Sequence, residues 1–159
     1  MAKGKQQKKP KAPVSALGLA PSPTKAVPKK QLEVLGDEGW NQRLIIRFDQ
    51  VDYEGPWSIT AASRADLVRI FKAVADFESM TVAEVFNGGH PGMDYSTGDL
   101  PKKEATDRLE ALALDDQDTI SRLRLSGEAR LYGFRRGRFF HVLWWDPHHQ
   151  IWPSTLKNT

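Results

Sequence analysis

The segment from residue 121 to residue 153 limits the fold more than any other part of the chain, because it is rich in β-forming residues and divided by turn residues. Leucine and arginine alternate over residues 122–126, and a second alternating run follows over 130–135. Residues 139–145 are apolar at both alternating positions, which indicates a central strand covered on both faces. With tight turns between these runs, the segment predicts an antiparallel sheet of about three strands.

The residues near position 50 predict another pair of strands. Apolar side chains alternate over residues 43–51, as they do in a half-buried strand. Glu54-Gly55-Pro56 has the chemistry of a turn, and residues 57–60 would return as a short second strand. An N-terminal β-hairpin is therefore expected.

Two or three helices are expected between the hairpin and the C-terminal sheet. The first two begin at pairs that resemble capping boxes, Ser63 with Asp66 and Thr81 with Glu84. Apolar residues at helical spacing follow the first pair, and residues 101–114 carry another stripe of this kind. Residues 88–100 show no periodicity, so they are expected to form a long loop.

These elements place the chain in the α+β class. Its expected order is an N-terminal β-hairpin, two or three helices and a C-terminal antiparallel sheet, and residues 31–159 would form a single domain. Residues 1–30 carry eight lysines and no acidic residue, and they are low in complexity. We expect this segment to be a disordered basic tail that either solubilises the protein or contacts nucleic acid non-specifically through phosphates.

The net charge of +3 conceals an uneven distribution of charge along the chain. Residues 31–120 contain eighteen acidic and eight basic residues, whereas residues 121–159 contain two acidic and seven basic residues. A polyanion would therefore be attracted to the tail and to the C-terminal segment, and repelled by the acidic middle.

Composition also limits the compartment and the chemistry. The chain has no cysteine, which excludes a disulfide framework and a thiolate metal site. It has no apolar run long enough to cross a membrane, and the basic N-terminus lacks the apolar core of a signal peptide. We therefore expect a cytoplasmic protein without a membrane partner.

Arginine side chains line the predicted C-terminal sheet. If Arg122 and Arg124 share one face of a strand, Arg130 on the next strand extends the row. Guanidinium groups bind phosphate through paired donors, and an aromatic neighbour such as Tyr132 can stack on a base. The hairpin tip adds Arg135, Arg136 and Arg138. Arg122, Tyr132 and the arginines of the tip are therefore candidates for nucleic-acid binding, although a solvated sheet face with scattered charges is the alternative.

Asp146-Pro147-His148-His149 follows the last predicted strand, where a sheet fixes the position of the loop. Asp146 would orient an imidazole, and His149 or His141 would act as a general acid or base. Alternatively, Asp146 only caps the turn before the proline. A metal site built from these histidines and Asp146 is less favoured, because adjacent histidines rarely bind one ion well. No metal or cofactor is expected.

Several segments between Thr106 and Pro153 match a recurring pattern. The matching segments are 108–112, 123–127, 130–134 and Phe-His-Val-Leu-Trp-Trp-Asp-Pro-His-His at 140–149, with a closing Ile-Trp-Pro at 151–153. Residues 46–86 match more loosely, and residues 1–30 lie outside the match. In these segments the chain resembles a family of small bacterial proteins, mostly without assigned activity, that are common on plasmids, prophages and mobile islands.

The predicted layout of helices followed by an antiparallel sheet also resembles that of RelE-like toxins of toxin–antitoxin systems. Those toxins are ribosome-dependent endoribonucleases that use basic and aromatic side chains on such a sheet. The resemblance implies RNA or the ribosome as a partner and a cognate antitoxin protein as another. The chain departs from the RelE-like pattern in its predicted hairpin and in its acidic middle third.

The sequence thus leads to the hypothesis of an RNA-binding, toxin-like protein, with metal-independent cleavage of RNA as a further expectation. In that mechanism Arg124 and Arg130 would hold the scissile phosphate. His141 or His149 would move the proton, and the 2′-hydroxyl would be the nucleophile.

A second hypothesis is a non-enzymatic protein-interaction module encoded on a mobile element. Its anchors would be exposed aromatic side chains of the C-terminal segment, namely Tyr132, Trp145 and Trp152. The acidic middle of the chain would suit a basic partner.

Overall fold

The computed structural model describes residues 39–88 and 90–154, so the basic tail predicted for residues 1–30 lies outside the described residues. The strands are β1 (Ile45–Arg47), β2 (Gly92–Ser96), β3 (Thr119–Arg124), β4 (Arg130–Arg136) and β5 (Phe139–Asp146). The α-helices are α1 (Arg64–Glu78), α2 (Val82–Phe86) and α3 (Lys103–Ala111). Short 3-10 turns lie at Ile59–Ala61 and Thr97–Asp99. The predicted α+β class is confirmed.

All five strands form one sheet in the order β1-β5-β4-β3-β2. Every neighbouring pair is antiparallel except β1 with β5, which run parallel. The three strands predicted from the C-terminal segment are confirmed as β3, β4 and β5, and β5 is flanked on both sides, as its apolar sequence indicated.

The helix starts follow the predicted capping chemistry. The Ser63 hydroxyl accepts the amide of Asp66 at 3.0 Å and so caps α1. At α2 the capping box is complete, because the Glu84 carboxylate also accepts the amide of Thr81 at 2.7 Å. In the described part of the chain, no helix is long and apolar enough to cross a membrane.

The predicted N-terminal β-hairpin is wrong. Strand β1 is only three residues long, and it pairs with β5 rather than with a returning strand. Residues 57–60 instead lead into the 3-10 turn, and the Trp57 carbonyl accepts the amide of Trp145 at 2.7 Å. The physical reason is burial: the Trp57 ring packs against the Trp144 ring, with their centroids 5.4 Å apart, so the chain turns onto the sheet face instead of extending its edge.

The long loop predicted for residues 88–100 is also wrong, because it contains β2. This strand lies at an edge of the sheet and has little apolar alternation, since Met93, Asp94 and Ser96 are all exposed. An edge strand that buries few side chains gives no periodic signal in the sequence.

The sheet buries side chains on both faces. On one face, which we call the α1 face, Leu123, Leu131 and Phe140 join a core with residues of α1 and α2. On the other, the α3 face, Ile120, Phe134 and Trp144 pack with Leu109 and other residues of α3. Each face of the sheet therefore forms part of a hydrophobic core.

A bulge interrupts the pairing of β4 with β5. Tyr132 is opposite Trp144, whereas the next residue, Gly133, is opposite Val142, so Leu143 is an extra residue in β5. At Gly133 an added Cβ atom would lie 2.0 Å from the carbonyl oxygen of His141. The close approach of the two backbones therefore requires glycine at this position.

Asp52, in the segment after β1, ties that segment to α3 and β5. Its carboxylate accepts the Nε and Nη2 donors of Arg108 at 2.8 and 2.7 Å and the indole N–H of Trp144 at 3.0 Å. The carboxylate also accepts hydrogen bonds from the backbone amides of Glu54 and Gly55. Burial by itself raises the pKa of Asp52, but the hydrogen bonds from Arg108, Trp144 and the two amides outweigh it and lower the pKa to about 2.

Candidate functional site

Three arginines meet at one end of the α3 face. Arg124 on β3 is directly opposite Arg130 on β4, and Arg122 is opposite Tyr132 in the neighbouring register position. Because these positions alternate with Leu123 and Leu131 of the α1 face, the arginine side chains share the α3 face. We call Arg122, Arg124 and Arg130 the arginine cluster. The row predicted from the sequence is present.

Arg130 is nearly buried, with 5% of its surface exposed. Its Nη1 group donates to the carbonyl oxygens of Gly127 at 2.7 Å and Ala129 at 3.0 Å, while its buried Nε donor has no hydrogen-bond partner among the described residues. Burial, and then the charges of Arg122 and Arg124, lower the pKa of Arg130. The like charges of the cluster are therefore close enough to destabilise one another.

The Tyr132 ring is completely buried beneath the cluster. Its hydroxyl is a buried polar atom that has no hydrogen-bond partner within the described ranges. Burial raises the pKa of Tyr132, and so does the nearby charge of Asp146, while Arg122 and Arg130 oppose the rise. This ring cannot stack on a base at the surface, but its hydroxyl is available to a group that enters the cluster.

Two half-buried aromatic rings lie beside the cluster. The Arg122 guanidinium lies 5.8 Å from the centroid of the Tyr95 ring, which is within range of a cation–π contact. Tyr95 in turn stacks on Trp152, with a centroid distance of 4.2 Å and an interplanar angle of 23°. Tyr95 did not emerge from the sequence as a site residue, because it lies in the stretch predicted to be a loop.

The Asp146 carboxylate holds the backbone of the following turn. It is fully buried and accepts the amides of Gln150 at 2.9 Å, Ile151 at 2.8 Å and His148 at 3.3 Å. Both carboxylate oxygens are engaged in this way, which favours the turn-capping interpretation over direct orientation of an imidazole. Asp146 therefore positions His149 through the backbone.

His149 follows β5 and is close enough to Arg130 and Arg122 for their charges to act on it. It is half-buried and has a φ of 55°, a conformation that few residues other than glycine adopt. Burial lowers its pKa, and the charge of Arg130 lowers it further, while Asp146 opposes the shift. The imidazole is therefore neutral at pH 7 and able to accept a proton.

His141 lies elsewhere. Its Nδ1 atom is 2.7 Å from the Asp49 carboxylate, beside β1. His141 and Asp146 are five positions apart on β5, roughly 16 Å at the rise of a strand. The structure therefore does not bring His141 to Arg124 and Arg130, whereas the charges of Arg130 and Arg122 act on His149. Asp49 was not identified from the sequence as its partner.

The arginines of the hairpin tip also lie apart from the cluster. Arg135 is on the α1 face and forms an ion pair with Asp94 at 2.7 Å, because an odd number of positions separates it from Arg130. Arg136 donates to the Gln117 side chain at 3.1 Å, and Arg138 lies over the Phe139 ring at 5.5 Å. These three side chains do not form one surface with the cluster.

Two of the three aromatic anchors of the second hypothesis are not exposed. Tyr132 and Trp145 are buried, and Trp152 is partly covered by its stack on Tyr95. Tyr132 and Trp145 are buried because β4 and β5 are covered on both faces by helices and loops.

In the described ranges, no group of three or more histidine and acidic side chains is arranged to hold a metal ion.

Comparisons with models of protein families, with curated proteins and with solved structures found no match to this chain. The function must therefore be argued from the arginine cluster itself.

Proposed function

We propose that the chain binds RNA through phosphate groups held by the arginine cluster. The observation that supports this function is the arrangement of Arg122, Arg124 and Arg130 on one sheet face, where two strands place like charges in adjacent register positions. Like charges opposite each other destabilise a sheet. An anion would offset this cost, and phosphate is the anion that paired guanidinium donors fit best.

The neighbours of the cluster support nucleic acid over other phosphorylated partners. Trp152 is partly exposed and stacks on Tyr95, which itself contacts Arg122. Aromatic rings next to guanidinium groups are the combination that binds unpaired bases together with their phosphates. The proposed partner is therefore single-stranded RNA in the cytoplasm, free or on the ribosome, with an antitoxin protein as the partner that would cover the site.

Exchanging Arg124 for alanine should weaken RNA binding with little effect on folding, because Arg124 is the exposed member of the cluster. The logarithm of the binding constant decreases with the logarithm of the salt concentration. If one phosphate contact is lost, this plot should become less steep, by about 0.7 in slope. Fluorescence anisotropy of a labelled RNA at several salt concentrations measures both effects.

Arg64→Ala is the matched control, since Arg64 is an exposed arginine at the start of α1, outside the cluster. Its affinity and salt slope should equal those of the wild type. Equal losses in the two variants would mean that binding is diffuse and not located at the cluster.

We further propose that the site cleaves RNA without a metal, with His149 as the general base. The neutral imidazole would take the proton of a 2′-hydroxyl, whose oxygen attacks the adjacent phosphorus. The 5′-oxygen would leave with a proton from solvent, giving a 2′,3′-cyclic phosphate and a 5′-hydroxyl end. Arg124 and Arg130 would stabilise the charge that builds up on the phosphate oxygens.

The rate of this cleavage should depend on the protonation of His149. Because burial and Arg130 lower its pKa, the reactive neutral form prevails at pH 7, and the rate should fall only on the acid side of about pH 6.5. His149→Gln should abolish cleavage but retain RNA binding, and a chelator should have no effect. Product formation on gels between pH 5 and pH 8 tests this. An acid limb that persists in His149→Gln would eliminate His149 as the base.

A further inference from the structure

We infer that the arginine cluster receives the phosphomonoester at the end of an RNA strand in preference to a phosphodiester within it. This inference rests on the proposed RNA binding and not on the proposed cleavage, because a terminal phosphate and a scissile phosphodiester would compete for the same guanidinium groups. It narrows the bound phosphate to one chemical group. The same chemistry occurs at a 5′-phosphate and at a 3′-phosphate, so either end would suit the cluster.

Access to the cluster favours a terminal group. Arg122 and Arg130 are only 6% and 5% exposed, so a phosphate must enter the face of the sheet to reach both. The carbonyl oxygens that Arg130 contacts, those of Gly127 and Ala129, border the cluster on one side. Tyr95 borders it on the other, beside Arg122. An internal phosphodiester carries a sugar on both sides, whereas a terminal phosphate carries a sugar on one side only and can enter end first.

The donors that remain inside the cluster also suit a monoester. The Tyr132 hydroxyl and the Arg130 Nε group are buried and have no hydrogen-bond partner within the described ranges. Buried polar atoms of this kind are costly unless a ligand or water satisfies them. A phosphomonoester offers three terminal oxygens as acceptors, whereas a diester offers two. The third oxygen can therefore accept a hydrogen bond from the Tyr132 hydroxyl while the other two remain with guanidinium groups of the cluster.

The balance of charge points the same way. In the described ranges, the charges of Arg122 and Arg124 both lower the pKa of Arg130, so the cluster carries like charges close together. A monoester carries a charge of about −1.5 to −2 at pH 7, whereas a diester carries a single charge. The dianion therefore offsets more of the repulsion among the arginines.

The test compares four forms of one short RNA sequence: with a 5′-phosphate, with a 3′-phosphate, with hydroxyl groups at both ends, and as a closed circle. We expect at least one phosphorylated form to bind about tenfold more tightly than the form with hydroxyl ends, the difference made by one good charged hydrogen bond. The phosphorylated form that binds more tightly identifies the end that is recognised. The circle, which has no end, should bind no better than the form with hydroxyl ends.

Tyr132→Phe provides a second, independent measurement. It removes only the buried hydroxyl, so the unliganded variant should melt at the same temperature as the wild type or higher, since an unsatisfied group is lost. Inorganic phosphate should raise the melting temperature of the wild type by more than that of Tyr132→Phe, and the preference for a phosphorylated end should shrink in the variant. A loss of stability without a change in this preference would mean that the hydroxyl is only structural.

The outcomes separate the two proposals. If all four RNAs bind the wild type equally, the cluster binds internal phosphates, and the preference for ends is overturned while RNA binding stands. If none of them binds, the proposed function itself is overturned.

Discussion

A variant with alanine in place of Asp52 should lose about 3–5 kcal/mol of unfolding free energy, the cost of removing one partner from a buried ion pair. Asp52 is 2% exposed, and its carboxylate binds two donors of Arg108 and the indole of Trp144. Without the carboxylate, these donors would be left without their partner where the segment after β1 meets α3 and β5. Urea denaturation followed by tryptophan fluorescence measures the loss.

Asp107→Ala is the matched control for this prediction. Asp107 forms an ion pair with Lys103 on the same helix as Arg108, with 2.7 Å between the charged atoms, but both side chains are exposed. Such pairs contribute little because solvent screens them. If Asp107→Ala were as destabilised as Asp52→Ala, the effect would belong to any charge change near α3 and not to the buried carboxylate.

The Asp52 carboxylate should make the free energy of unfolding depend on pH. The pKa of Asp52 is about 2 in the folded protein and near 3.9 in an unfolded chain, so its contribution is complete above about pH 5. That contribution is lost as the pH falls towards 2, because the unfolded state then binds the proton more tightly. Asp52→Asn should lack this part of the acid-induced loss of stability.

Gly133→Ala should destabilise the protein by about 3 kcal/mol or more, the upper range for overpacked interiors. The added Cβ atom would lie 2.0 Å from the carbonyl oxygen of His141 and 2.9 Å from its carbon. Backbone atoms of two paired central strands cannot move apart without breaking the hydrogen bonds that join β4 to β5. Chemical denaturation of wild type and variant gives the difference.

Gly98→Ala is the corresponding control. A Cβ atom there would meet only the Ser96 hydroxyl oxygen, at 3.7 Å, which is ordinary van der Waals contact. This variant should match the wild type within a few tenths of a kcal/mol. A similar loss in both variants would show that the two glycines matter for chain flexibility and not for the close approach at the bulge.

Elements with local signals could be predicted from the sequence. Ser63 and Thr81 mark the helix starts because capping is a contact within four residues. Alternation identified β3 and β4, and a short run that is apolar at both alternating positions identified β5, because these are also local patterns. The partner of β1 could not be predicted in this way, because the β1–β5 pairing joins positions that are far apart in the sequence, such as Arg47 and His141.

In the candidate site, too, the features with local sequence signals could be predicted and those that depend on long-range packing could not. The row of Arg122, Arg124 and Arg130 follows from strand alternation and a turn at Gly127, both of which are local. The separation of His141 from this row depends on the register of β4 with β5, to which the bulge at Gly133 contributes. The burial of Tyr132 depends on packing from α3, which no local pattern reveals.

The parallel contact of β1 with β5 has a consequence for the order of folding. Strand β5 must already be present before the residues at 45–47 acquire their backbone partners. The antiparallel strands β3, β4 and β5 are joined by short connections and can pair among themselves first. During synthesis, therefore, β1 leaves the ribosome before β5, and its residues lack their β5 partners until that strand has been made.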